Sequence, residues 1–493
     1  MILGALLLSQ NTTRRQQVGW LTLIGLVAGV ELLNKESVGI EMALMGGVIA
    51  IGLCGRRLTN PLVVLAATGG SLLLGWVASG QAFGALASYG DHAVQIVSGY
   101  GAAMGIEEGG LGSALQYPAA LVAIVIGACG ALHVAAGRSR WERGGLIALW
   151  VTFCFFEFKE GFVRHDAGHA AEFFVAIMGG AVGFTWKRER RRVGLALYGI
   201  MVVMAIVATI AAQPGALSEV IDPVSDLNNA IAQARQLASG SERGRIEARG
   251  RDAIRAAFPI DSETLDALRG HTVHVAPYQA AVAWAYGLKW MPLPVFQSYQ
   301  AYTTNLDRLN ANALDASGAP ERILRKLEPG IDGRVQTLDE PLAMRAMLCR
   351  YRQIRVTATW QVLARGANQC SEPPTALGRV RAGWGQQVAV PAPPDRHSFV
   401  FVRISGVAVQ GLERVLALLY KPSERTIALD GVTHRLVGET AGDGLVLRAP
   451  ADIDYTAPYN IAPNASTIAV GKAGQGRAGT KALTFSFYAQ HVD

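Results

Sequence analysis

Before Gln213 the chain consists largely of long apolar runs, and after it such runs almost disappear. A helix needs roughly 20 residues to cross about 30 Å of hydrocarbon, and only helices and closed barrels satisfy their backbone groups there. Runs of that kind lie at about 18 to 34, 38 to 54, 61 to 79, 118 to 136, 144 to 158, 169 to 186 and 193 to 212. Seven spans are therefore predicted. With 51% of the 493 residues hydrophobic and 17% charged, and a mean hydropathy of +0.25, the chain is too apolar for an ordinary water-soluble protein of this length. Residues 1 to 9, MILGALLLS, are apolar but too short to span, and read as a half-length helix, a re-entrant start or a truncated gene start. They lack an A-x-A-like site and are not expected to be a cleaved signal peptide.

Basic residues set the orientation of such helices. Arg14 and Arg15, Arg56 and Arg57, the stretch GRSRWERGG from Gly137, and KRERRR from Lys187 to Arg192 fall on alternate connections, which assigns those four to the cytoplasm. The turn from Asn34 to Glu36, the segment from Ser79 to Tyr117, the stretch around residue 160 and everything after Gln213 then share the opposite side. The expected location is a bacterial inner membrane with the C-terminal domains extracytoplasmic. The formal charge of +7 is gathered beside apolar runs, where it orients helices, and no nucleic-acid motif accompanies it.

From about Asp222 to Ala257 the pattern is helical and polar, a linker or lid. Strand signals at Thr272 to Ala276, Leu293 to Ser298, Arg322 to Leu327 and Arg355 to Ala364 then alternate with helical ones at Tyr278 to Tyr286, Thr304 to Ala313 and Pro341 to Arg350, as in an α/β layer domain. A proline-rich hinge, VAVPAPPDRH from Val388 to His397, precedes short β-like runs spaced as in a sandwich. The expected fold is thus an α-helical polytopic membrane domain (1–212), an extracytoplasmic α/β domain (213–386) and a C-terminal β-sandwich-like domain (387–493). Cys54, Cys129 and Cys154 lie in apolar runs, whereas Cys349 and Cys370 lie outside the reducing compartment and flank a segment able to fold back as a hairpin. A Cys349–Cys370 disulfide is predicted.

One stretch stands apart chemically. Glu157 to Phe174, EFKEGFVRHDAGHAAEFF, holds three Glu, one Asp, two His, one Lys and one Arg between two apolar runs. Ionisable groups at a bilayer edge are costly, which makes them candidates for function. On a continuous helix Glu157, Glu160, Arg164 or His165, His169 and Glu172 would share one face. His165, His169 and Glu172 are spaced as zinc ligands, but without the H-E-x-x-H pattern, so a divalent metal is not favoured and no cofactor is fixed. Proton relay is a weaker fit, because the spans carry almost no buried charge. Transfer chemistry on a lipid-linked substrate fits better. Lys159 and Arg164 would hold a polyprenyl phosphate, Arg through its planar fork. Asp166, Glu160 or His165 would serve as general base, with His169 and Asp91 completing the substrate site. The Ser79 to Tyr117 stretch, a long Gly-rich loop with room for a short helix along the membrane surface, adds its acids Asp91, Glu107 and Glu108 as secondary candidates.

The run LPVFQSYQAYTTNLDRLNANAL from Leu293, followed by APERIL from Ala319, GIDGR from Gly330, LCRYR from Leu348 and WQVLAR from Trp360, resembles a pattern in large multi-pass bacterial envelope proteins. Its order is similar to the outer domain of membrane glycosyltransferases of the GT-C type, over roughly residues 270 to 366. The resemblance implies a lipid-linked sugar or glycan as substrate and a catalytic acid in the first outer loop, where this chain offers only Glu31, Glu36 and Glu41; Asp91 or Asp166 would take that part. The arrangement is also similar to O-antigen ligases and polymerases, except that here the large outer segment is terminal. A membrane-bound glycan-transferring enzyme is therefore expected, against a non-enzymatic scaffold or glycan-binding envelope protein, or a transporter.

Overall fold

The computed structural model describes residues 13–54, 57–183, 191–212, 223–370, 372–450, 464–473 and 482–493. Two compact units result, one from residues 1–97 and 104–223 and the other from 98–103 and 224–493. The short apolar N-terminal run and most of the basic stretch from Lys187 lie outside the described residues.

In the first unit the helices are α1 (Arg14–Asn34), α2 (Glu36–Gly52), α3 (Thr59–Ala78), α4 (Leu86–Met104), whose residues 98–103 belong to the second unit, α5 (Gly110–Val134), α6 (Arg140–Val163), α7 (Ala167–Val182) and α8 (Arg191–Ala212). Among the described residues α1, α3, α5 and α8 are long and apolar enough to cross a membrane, and the chain is accordingly membrane-associated. The other three predicted spans are helical too, but α2 and α7 have only 17 and 16 residues, and α6 carries charges at both ends.

Small residues bring these helices together. Gly25 and Gly29, four apart on α1, lie against α3 so closely that a Cβ on Gly29 would fall 2.3 Å from the Thr68 carbonyl oxygen. Gly52 of α2 meets Gly145 of α6 backbone to backbone, and Gly127 of α5 receives the Trp150 ring. Close approach of this kind is how helices adhere where lipid is as apolar as leucine. The large aliphatic side chains turn outward instead: Leu65, Leu74 and Leu121 are all exposed.

Residues 79 to 117, expected to be mostly loop, instead contain α4 and the first turns of α5, with Pro118 inside the helix. The misleading signal was glycine. An interior Gly weakens a helix by only about 1 kcal/mol relative to Ala, and in α4 glycines mark close packing: a Cβ on Gly99 would meet the Tyr302 Cβ at 2.6 Å.

The second unit contains three layers of sheet. Its order is α9 (Pro223–Ala238), α10 (Gly240–Ala257), α11 (Ser262–Leu268), β3 (Thr272–Ala276), α12 (Ala281–Tyr286), β4 (Lys289–Trp290), α13 (Thr304–Asp315), β5 (Arg322–Lys326), α14 (Pro341–Arg350), β6 (Tyr351–Val356) and β7 (Trp360–Arg365). β1 (Ile106–Glu107) and β2 (Arg164–His165) belong to the first unit. Strands β4-β3-β5-β7-β6 form a mixed sheet, parallel on the β3 side and antiparallel through β7. Two antiparallel four-stranded sheets follow. They are built from β8 (Thr375–Ala382), β9 (Val388–Ala389), β10 (Ser398–Ser405), β11 (Arg425–Leu429), β12 (Val432–Arg435), β13 (Leu445–Arg448), β14 (Thr467–Lys472) and β15 (Leu483–His491), with α15 (Leu412–Leu419) outside them.

Strand β10 explains why these layers make one unit. Side chains alternate across a strand, and here both faces are buried: Val400, Val402 and Ile404 enter the sandwich core with Phe485 and Phe487, while Phe399 and Phe401 enter a second core with Tyr351, Leu363 and Met347. The sandwich also takes in β8, which pairs with β15 although it precedes residue 387. Cys349 and Cys370 are joined by a disulfide with Cα atoms 5.2 Å apart.

Two sequence expectations in this unit are corrected. Leu293 to Ser298 is not a strand, because the Asn310 side chain takes the Val295 N–H and C=O that a ladder would have used, both at 2.9 Å. Arg355 to Ala364 is a hairpin instead of one strand, since β6 and β7 turn back on each other at Thr357, whose hydroxyl accepts from the Trp360 N–H at 2.9 Å.

Candidate functional site

The stretch from Glu157 does not continue as one helix. α6 ends at Val163, Arg164 and His165 are extended as β2, and Asp166 caps α7. The predicted single face of Glu157, Glu160, Arg164, His169 and Glu172 is thereby divided. What interrupts the helix is pairing: β2 lies parallel to β1, with Ile106 opposite Arg164 and Glu107 opposite His165. A close approach fixes the corner, since a Cβ on Gly161 would meet the Phe173 Cβ at 2.6 Å.

His165 is fully enclosed. Its ring stacks on Phe162 and meets Tyr117 edge-on, with centroids 4.7 and 4.8 Å away. Nδ1 contacts the Glu107 carboxylate and Nε2 the Gln116 side-chain oxygen at 2.7 Å. Tyr117 donates to the other Glu107 oxygen at 2.8 Å. Both nitrogens of His165, one of the predicted bases, are thus engaged within the protein.

Asp166 is equally committed. Oδ1 accepts from the His169 backbone N–H at 3.0 Å and faces His169 Nδ1 at 2.8 Å, and Oδ2 faces Arg164 Nε at 2.9 Å. Burial opposes its charge, but the His169 N–H, the His169 ring and the Arg164 guanidinium together hold the carboxyl below its usual range. A carboxylate so stabilised is a weak base. His169 is better placed for that role. Its ring is oriented through Nδ1 by a carboxylate, the arrangement that leaves Nε2 to take a proton, and its side chain is 31% exposed.

The remaining predicted residues go elsewhere. Glu160 pairs with Lys35 at 2.6 Å, in the same electrostatic neighbourhood as Glu41 and Glu157. Lys159 is half-buried on α6. Asp91 is held on α4 by Gln95 Nε2 at 2.7 Å. His165 lies in the helix break and His169 in the first turn of α7, so the two do not share one helical face, and among the described residues no group of three His, Cys, Asp or Glu is arranged to hold a metal ion. Sequence reasoning missed Gln116 and Lys35. Gln116, a lone amide at the entrance of an apolar run, carried a signal in that such a group requires a partner.

No protein-family model, curated protein or solved structure matches this chain.

Proposed function

We propose that the protein is a membrane enzyme of the bacterial envelope that transfers a sugar from a polyprenyl-phosphate donor to a hydroxyl acceptor at the outer membrane face. The observation that carries this reading is the Asp166–His169 dyad beside Arg164 at a helix break between apolar segments. In this mechanism His169 Nε2 removes the acceptor proton while the acceptor oxygen attacks the anomeric carbon. The bond from that carbon to the phosphate oxygen breaks, and the polyprenyl phosphate departs with its electron pair towards Arg164 and Lys159. Asp166 orients His169 and stabilises the imidazolium that forms. The orientation inferred from Lys and Arg places this end of α6 and α7 in the compartment of the C-terminal domains, where an acceptor glycan would be met. General acid–base catalysis contributes typically 10²- to 10⁴-fold, so His169→Gln should lower transfer by about that factor and lead to accumulation of the lipid-linked donor in cells.

A second reading, a scaffold or glycan-binding envelope protein, is favoured by one observation: Arg164 and Asp166 satisfy each other, and Asp166 also caps α7. Asn is as good an N-cap as Asp, so Asp166→Asn preserves the cap while removing the charge. Normal envelope glycan assembly in both Asp166→Asn and His169→Gln would decide for the scaffold.

A further inference from the structure

Helix α15 is built inside out. A surface helix normally turns its apolar stripe towards its own domain. Here Leu412, Val415, Leu416 and Leu419, at spacings of three and four on one face, and Leu418 beside them are 47–73% exposed, while Ala417 is the residue buried against the unit. The acid on the inward side is neutralised: Glu413 pairs with Arg425 at 3.0 Å and Lys472 at 3.1 Å. Exposed Arg414 and the Tyr420–Lys421 pair flank the apolar face, the Lys421 ammonium lying 5.5 Å from the Tyr420 ring centre.

We propose that α15 is an interfacial anchor that lies in the surface of the same bilayer the long apolar helices cross, with Leu412, Val415, Leu416 and Leu419 in the acyl boundary and Arg414 and Lys421 at the level of anionic headgroups. A short helix with a strong apolar face, bordered by cations and an aromatic ring, has the composition of segments that lie in that layer. The choice of a bilayer over a protein partner rests on chain connectivity and charge. The backbone directly behind α15 is residues 98–103, where Gly101 comes so close that a Cβ would stand 2.8 Å from the Ala417 carbonyl oxygen. Those residues are the last turns of α4, and Gly110, six residues beyond Met104, opens a helix long and apolar enough to cross a membrane. The support of α15 is thus covalently tied, over a few residues, to a membrane-crossing segment. With its one acid neutralised, the helix also presents no negative charge to repel anionic lipid. The inference does not depend on the chemistry around His169.

The test uses the full-length protein reconstituted in nanodiscs containing phosphatidylglycerol. A nitroxide is placed at Leu416→Cys, and a second at Arg381→Cys on β8 as a water-facing reference, in a background lacking Cys54, Cys129 and Cys154. Insertion predicts that Leu416 is relaxed more by oxygen than by a water-soluble nickel chelate, the reverse of Arg381. Adding Leu412→Glu and Leu419→Glu should bring position 416 to the water-facing ratio while leaving Arg381 unchanged. Preferential relaxation by the nickel chelate at Leu416 would overturn the proposal, because the face would then be in water. Low access to both relaxants would overturn it in favour of a protein, such as a second copy of this chain, covering the face.

Discussion

Asp166 and Asp307 do the same job in the two units, and their surroundings give them opposite acidities. Each carboxylate accepts backbone N–H groups at the start of a helix: Asp166 caps its own helix α7, whereas Asp307, on α13, reaches the Leu342 and Ala343 N–H groups of α14 at 2.9 and 3.0 Å. Asp166 is partly exposed between a guanidinium and an imidazole and is held below its ordinary range. Asp307 is fully buried, and burial, with the Asp443 charge adding to it, pushes its carboxyl up to about 7 in spite of the two N–H donors. Nearby Glu340, bonded to Asn310 at 2.8 Å, is pushed to about 8 by burial and by the charges of Asp307 and Asp339. A cap therefore stabilises its helix in either charge state, and the neighbourhood decides at which pH it does so.

The largest effect should come from removing the buried cap. Asp307→Leu leaves two buried N–H groups without an acceptor, at roughly 1–3 kcal/mol each, so urea unfolding of the second unit should lose about 3–5 kcal/mol. Asp307→Asn, which keeps an acceptor oxygen and the side-chain volume, should lose clearly less; equal losses would show that the retained acceptor contributes nothing.

Next comes the disulfide, which has no counterpart among the described residues of the first unit. With Cys349 and Cys370 at a sequence separation of 21, loop entropy predicts about 3 kcal/mol. Reduction should expose β6 and β7 to hydrogen exchange while leaving α1 and α3 protected.

A smaller and more diagnostic effect concerns pH. Asp307 and Glu340 bind protons more tightly folded than unfolded, so their contribution is fully present below about pH 4 and is lost as pH rises through about 7 to 8. Asp166 acts in the opposite sense: its contribution is present above the ordinary carboxylate range and is lost as pH falls below it. Hydrogen exchange of α14 should therefore accelerate from pH 5 to 8 while that of α7 accelerates in the other direction, from pH 5 to 3, after correction for intrinsic rates. Glu340→Gln should flatten the first trend, and parallel trends in both helices would break the comparison.

The smallest effect separates cap from charge in the first unit. Asp166→Ala should cost about 1 kcal/mol and Asp166→Asn only a few tenths, read as thermal unfolding in detergent.

The long apolar helices were legible because hydrocarbon imposes a length and an apolarity that composition alone reveals, and most strands and helices beyond Thr272 followed from local alternation. What stayed hidden depended on distant partners. The Val295 backbone reads as a strand until Asn310, fifteen residues on, takes its N–H and C=O. The Gly-rich stretch that includes Gly99 and Gly101 reads as loop until Tyr302 and Ala417 are seen to need the space. The charged stretch after Glu157 stands out in the sequence, but its division could not be read, because the residues that split it, Glu107, Gln116 and Lys35, lie 49 to 125 positions away.

The ladder between β1 and β2 is only two residues long, and that brevity sets a rule for how this chain can change in evolution. Register, more than the identity of the side chain at Ile106, is what the pairing requires. One residue inserted between Ile106 and Glu107 would turn Glu107 to the opposite face and leave the enclosed imidazole of His165 without its carboxylate, whereas exchanging Ile106 for another β-branched residue would leave the pairing as it is. Variation in this segment should therefore appear as substitution at constant length, and a natural insertion there should be accompanied by loss of the histidine.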